Sequence, residues 1–197
     1  PTPDNIQNAA VAAIRGGKHG YTPSAGINEL REAVARDILR TRGLTVDPAD
    51  VVVAAGAKPF IGYTVLSVTD YGAGDEVIYP NPGFPIYESQ ILANGAVPVP
   101  IHLRESRGFT FDPQELADKI TPRTKLLILN SPQNPTGAII PRDQMAAIAE
   151  ILAKHEQVWV FADEIYGRLV YEGEFVSIAT FPGMLERTII ADGCSKT

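Results

Sequence analysis

The chain has 197 residues, 45% of them hydrophobic and 20% charged, the balance of an ordinary globular domain with room for a sizeable core. Its formal net charge of -6 comes without a basic run, so neither nucleic acid nor an anionic membrane surface is expected as its main partner. Cys194 is the only cysteine, which excludes an internal disulfide and suits a reducing cytoplasm, and no apolar run approaches the ~20 residues of a membrane span. His19, His102 and His155 are scattered and suggest no metal site. Pro1 runs almost directly into a helical pattern and Thr197 stops just after a strand-like run, so the chain reads as a fragment.

Residues 28–42 carry Leu30, Val34, Ile38 and Leu39 at helical spacing, with charges between them and Gly43 as a stop, which predicts a surface helix. The apolar run 51–55 predicts a short strand ending at Gly56, and Pro59 opens a helix through Val65 and Leu66. Further short apolar runs at 76–79, 97–101, 125–129, 158–162 and 188–191 predict buried strands. A helix over 142–154, begun by Pro141, turns Met145, Ile148 and Leu152 inward. Strands that are continuously apolar and alternate with helices predict an α/β fold, a mainly parallel sheet sandwiched by helices.

In such a sheet, ligands bind beyond the carboxyl ends of the strands. Four places there carry chemistry. Gly56-Ala57-Lys58 precedes a proline-started helix, whose free N–H groups and dipole form an anion site, with Lys58 adding charge; the plainer reading is that Gly56 permits a tight turn. Asn134-Pro135-Thr136-Gly137 is a turn that could present the Asn134 amide to a ligand, or simply a turn. Asp163 ends a strand with Tyr166 three positions later, a carboxylate and a phenol at the ligand edge, although strand-end acids often only cap helices. Lys196 follows the last strand, and a lone lysine is usually a solvated charge.

An anion site, an amide, a carboxylate with a phenol, and a lysine are together the groups that a pyridoxal 5'-phosphate site requires. The chain resembles the class I aminotransferases of the aspartate aminotransferase type, through Tyr21-Thr22-Pro23-Ser24-Ala25-Gly26 with Leu30-Arg31, Gly74-Asp75-Glu76-Val77, Asn134-Pro135-Thr136-Gly137, Ala162-Asp163-Glu164-Ile165-Tyr166 and Ser195-Lys196-Thr197. The resemblance implies that residues 1–197 are part of the large, cofactor-binding domain, with the small domain and the substrate-binding arginine outside the chain. It implies that Lys196 forms the Schiff base and then moves the substrate proton, that Asp163 pairs with the pyridine nitrogen, and that Tyr166 and Asn134 hold the ring's phenolic oxygen. Gly56, Ala57 and Lys58 correspond to the phosphate cradle. Phe84 falls where the family stacks an aromatic ring on the pyridine, its plainer role being core packing. Tyr21 corresponds to the tyrosine that reaches a neighbouring subunit's phosphate, which implies a homodimer.

One departure is Gly193, which stands where the family often has a phosphate-binding serine. The activity implied is transfer of an amino group from an L-amino acid, aspartate-like by default, to a 2-oxo acid such as 2-oxoglutarate. Two other readings use the same residues: a β-lyase of this fold, and the effector-sensing domain of a transcription regulator, which would carry a DNA-binding domain upstream. The 197 residues alone are expected to be a poor catalyst.

Overall fold

A computed structural model describes residues 1–196. The strands β1 (Glu76–Asn81), β2 (Val97–His102), β3 (Thr124–Asn130), β4 (Trp159–Asp163) and β5 (Thr188–Ala191) form one sheet in the order β2-β1-β3-β4-β5. All neighbours are parallel. The helices are α1 (Asp4–Arg15), α2 (Asn28–Arg42), α3 (Lys58–Val68), α4 (Ile86–Ala93), α5 (Pro113–Lys119) and α6 (Arg142–Leu152). Among the described residues no helix is long and apolar enough to cross a membrane.

The central strands β1, β3 and β4 bury both of their faces, which is why their sequences are continuously apolar. Ile78, Leu127, Leu129, Val160 and Ala162 point into one core, against Leu116 of α5 and Met145, Ile148 and Leu152 of α6. Their neighbours one residue along, Val77, Leu126, Ile128 and Phe161, point into the other, against Ile61 and Val65 of α3 and Tyr87 and Ile91 of α4. The chain leaves β1 for β2 on one side, then crosses to β3 on the other, so the strand order reverses between β1 and β3. That reversal opens a crevice beyond their carboxyl ends.

The α2 helix ends where Gly43 adopts φ 70° and its N–H caps the Leu39 carbonyl, as the glycine foretold. Its apolar residues divide differently from the spacing: Ala35 and Ile38 are buried, whereas Leu30 and Leu39 lie exposed. The expected strand at 51–55 is a correction. The segment is extended but belongs to no strand, because no neighbouring strand runs beside it among the described residues. Its Val53 N–H donates instead to the Ala25 carbonyl, and Val52 is 54% exposed.

Candidate active site

Strand register sets the site's floor. Asn130 pairs with Asp163, and Asp163 with Ala191, so the last residues of β3, β4 and β5 form a row along the carboxyl edge. The Asn130 side chain then stitches the row to the turn beyond β3. Its amide donates to the Asp163 carbonyl at 3.0 Å and the Pro132 carbonyl at 3.2 Å, and its oxygen accepts the Asn134 N–H at 2.8 Å. Gln133 braces the same turn, donating to the Pro82 carbonyl at 2.9 Å and accepting from the Thr136 N–H and hydroxyl at 2.8 and 2.7 Å. The half-buried Asn134 is thereby held in place with a side-chain amide that makes no hydrogen bond among the described residues.

Asp163 is 7% exposed. Tyr87, wholly buried in α4, donates its hydroxyl to Oδ2 at 2.6 Å, and the Ile165 N–H lies 3.4 Å from Oδ1. Asp163 caps no helix, so the plainer expectation for a strand-end acid does not hold. Burial lifts its carboxyl above the ordinary range. The Tyr87 and Ile165 hydrogen bonds pull it back, and the charge of Asp192 lifts it again. Burial and the Asp163 charge push the Tyr87 phenol far upward, so that it stays a donor. Tyr166 lies close enough for its phenol to act electrostatically on that of Tyr87, which gathers carboxylate and two phenols at the β4 exit. Among the described residues no cation pairs with Asp163. A buried carboxylate so placed is suited to a cationic ligand atom.

Phe84 continues the cluster. Its ring stands edge-on to Tyr87, with centroids 5.8 Å apart at 85°, and the Lys58 ammonium lies 5.8 Å from the Phe84 centroid. The ring also packs against the α3/α4 core, so stacking on a ligand and core packing are both open to it. Lys58 is exposed and begins α3. Ahead of it, Gly56 takes φ 87°, a conformation that disfavours any side chain, and a Cβ there would meet only open space. The Ala57 and Lys58 N–H groups make no backbone bond among the described residues, leaving two donors at a helix start.

Lys196 is exposed, in the short turn of 3-10 helix Cys194–Lys196 that follows β5, and reaches no partner among the described residues. Tyr21 is fully exposed and likewise makes no bond there. The structure thus brings together Asp163, Tyr166, Phe84 and Lys58, places the 56–58 turn beside them, and leaves Tyr21 apart. Two site residues escaped the sequence reading. Tyr87 looks like one more apolar helix position, and Asn130 is separated from the Asn134 motif by a turn; only the reach of the Tyr87 hydroxyl from α4 to Asp163 and the strand register reveal them.

Comparison with known proteins identifies the family. The family model for aminotransferase class I and II matches residues 1–197. The aspartate/prephenate aminotransferase of Cereibacter sphaeroides is 42% identical over 197 residues, 99% of this chain and 49% of the relative. The aspartate aminotransferase of Geobacillus stearothermophilus is 40% identical over 198 residues, 100% of this chain and 50% of the relative. Among solved structures, the aromatic aminotransferase of Pyrococcus horikoshii superimposes with a TM-score of 0.95 at 34% identity, covering 100% of this chain and 52% of that one. The aspartate aminotransferase of Thermus thermophilus with maleate gives 0.94 at 38%, covering 99% and 50%. The chain therefore spans about half the length of the relatives it matches. It belongs to the class I and II aminotransferase family.

Proposed function

We propose that the protein carrying this chain is a pyridoxal-phosphate-dependent aminotransferase, moving an amino group from an aspartate-like L-amino acid to a 2-oxo acid such as 2-oxoglutarate. The observation that carries the reading is the buried Asp163 carboxylate. It is held by Tyr87, lacks a cation among the described residues, and lies on the strand edge from which the chain runs to Lys196. When bound, the cofactor supplies a carbonyl that condenses with amines and a protonated ring that accepts electrons as a proton leaves carbon.

The residues divide the remaining work. Asp163 holds the proton on the ring nitrogen, and Tyr87 keeps the carboxylate turned and partly neutralised by its hydrogen bond. The Lys196 amine would hold the cofactor at rest and, once free, would take the proton from the substrate Cα and pass it on to the cofactor carbon that receives the amino group. Tyr166 and the unbonded Asn134 amide hold the ring's phenolic oxygen. The Ala57 and Lys58 N–H groups at the start of α3, with Gly56 shaping the turn, bind the phosphate. Phe84 covers one face of the ring. Its edge-on contact with Tyr87 would steady it there.

Substrate-carboxylate binding and closure over the substrate fall to a small domain outside this chain, residues 1–197 forming part of the large domain. A homodimer is supported by α1, which buries none of its residues and leaves Ile6, Val11 and Ile14 exposed, and by the fully exposed Tyr21, placed to serve the partner's site. A cytoplasmic setting is supported by the single cysteine. The relatives' names support the aspartate-like donor.

Steady-state kinetics of the full-length protein, with pyridoxal phosphate added and L-aspartate and 2-oxoglutarate varied against each other, tests the reading. A shuttling amino group gives parallel double-reciprocal lines. Intersecting lines, or β-elimination without transfer, would contradict it.

A further inference from the structure

Arg42, the last residue of α2, has a side chain only 3% exposed. Its Nε donates to Glu164 Oε2 at 2.6 Å and its Nη2 to Asp192 Oδ2 at 2.9 Å, while the guanidinium lies 5.5 Å from the centroid of Phe175. Glu164 directly follows Asp163 out of β4. Asp192 directly follows β5 and opens the run to Lys196. Neither acid has a part in the chemistry proposed above.

The backbone connection between the two strands ends here. The last bond joining their exits is from the Glu164 N–H to the Ala191 carbonyl, at 2.9 Å. Past it the two chains separate, and side chains take over. Arg42 joins Glu164 to Asp192, and Arg168 reaches both oxygens of Asp192 at 3.3 Å. Asp192 in turn accepts the Gly193 N–H at 2.7 Å, so its carboxylate shapes the turn leading into 194–196. Arg168 also pairs with Asp37, which meets Arg40 at 2.6 Å, and Glu164 accepts a hydrogen bond from Ser177. A buried ion pair is a poor device for stability alone, since well-packed apolar groups do as well. What an arginine fork adds is geometry, two acids held at fixed angles by one planar group.

We propose that Arg42 is a positioning residue. By bonding Glu164 and Asp192 at once, it locks the exits of β4 and β5 together and so fixes Asp163 relative to the run that carries Lys196. This rests on the roles given to Asp163 and Lys196 under the proposed function.

The test uses the full-length protein with Arg42→Lys, which keeps the charge but loses the fork, and Asp192→Asn, which leaves the Arg42–Glu164 pair intact. Hydrogen exchange of the apoprotein reads the clamp without any cofactor. Both variants should exchange faster at 191–196, with β1 and β3 unchanged. Both should also bind pyridoxal phosphate about tenfold more weakly, the loss expected of one charged hydrogen bond, with an altered circular dichroism of the bound cofactor. Unchanged exchange at 191–196 overturns the proposal, as does faster exchange spread evenly through β1 and β3, the mark of a merely structural support. A wild-type protein that binds no pyridoxal phosphate, while 191–196 responds to the variants as expected, would sink the functional reading and leave the clamp standing.

Discussion

The Asp163 carboxylate is kept out of water with a phenol as its near partner, and that arrangement costs stability in the absence of a ligand. Burial, opposed by Tyr87 and Ile165 and reinforced by Asp192, raises its pKa, so the folded apoprotein holds a proton more tightly than the unfolded chain does. Stability therefore falls as pH rises from the ordinary carboxylate range through the raised value, and is level above it. Asp163→Asn removes that penalty. The variant apoprotein is expected to melt higher than wild type at neutral pH, with the difference closing as the pH falls to about 4, and to bind pyridoxal phosphate more weakly. Thermal melts across that range check the sign; a wild-type apoprotein more stable than the variant at neutral pH would contradict it. Asp163 itself was visible in the sequence as an acid at the end of an apolar run. Tyr87, which sets its state, was not, because nothing local tells a phenol aimed at a carboxylate from one packed in a core.

Elements with two covered faces or a clear helical stripe were the legible ones. The five strands and α6 stood out because both sheet faces are buried and because Met145, Ile148 and Leu152 recur at helical spacing on one side. The short helices α4 and α5 gave no such stripe: α4 buries Tyr87 and Ile91 but exposes Leu92, and α5 buries only Leu116. Segment 51–55 was misread for a related reason, since an apolar run becomes a strand only where a neighbour supplies the ladder. The start of β1 shows how side chains complete such a ladder. Glu76 accepts from Thr121 at 2.6 Å, Arg123 at 3.1 Å and Thr124 at 3.2 Å, tying β1 to the start of β3. Burial works to lift the Glu76 carboxyl, but these hydrogen bonds prevail and hold it below its ordinary value. Its contribution is then present above the ordinary glutamate range and is lost as pH falls through the lowered value. Glu76→Gln should cost about 1–2 kcal/mol at neutral pH, from weakened charged hydrogen bonds, and progressively less in acid. Urea unfolding at several pH values reads this, and a cost that is constant with pH would contradict it.

At the scale of the whole molecule, the parallel sheet gathers residues far apart in sequence along one edge: the 56–58 turn, Phe84 and Tyr87, Asn130, Asp163 and the run to Lys196. Their order along the chain was legible as a set of motifs, because each motif lies at a strand exit or helix start, where local sequence decides conformation. Their cooperation was not, because Arg42 meets Glu164 and Asp192 only after α2 packs beside the ends of β4 and β5. The exposed face of α1 and the bare Tyr21 belong to this scale as well, being the surfaces that the proposed homodimer would cover.

The central claim is that Lys196 and Asp163 jointly hold pyridoxal phosphate for amino-group transfer. The most direct measurement is the absorbance spectrum of the full-length protein with pyridoxal phosphate, before and after L-aspartate or L-glutamate, beside a Lys196→Ala variant. A lysine-dependent band that shifts to the amine form of the cofactor on adding the amino acid, and is missing from the variant, is the expected result. A band that persists unchanged with every amino donor, or one that forms equally well without Lys196, would contradict the account.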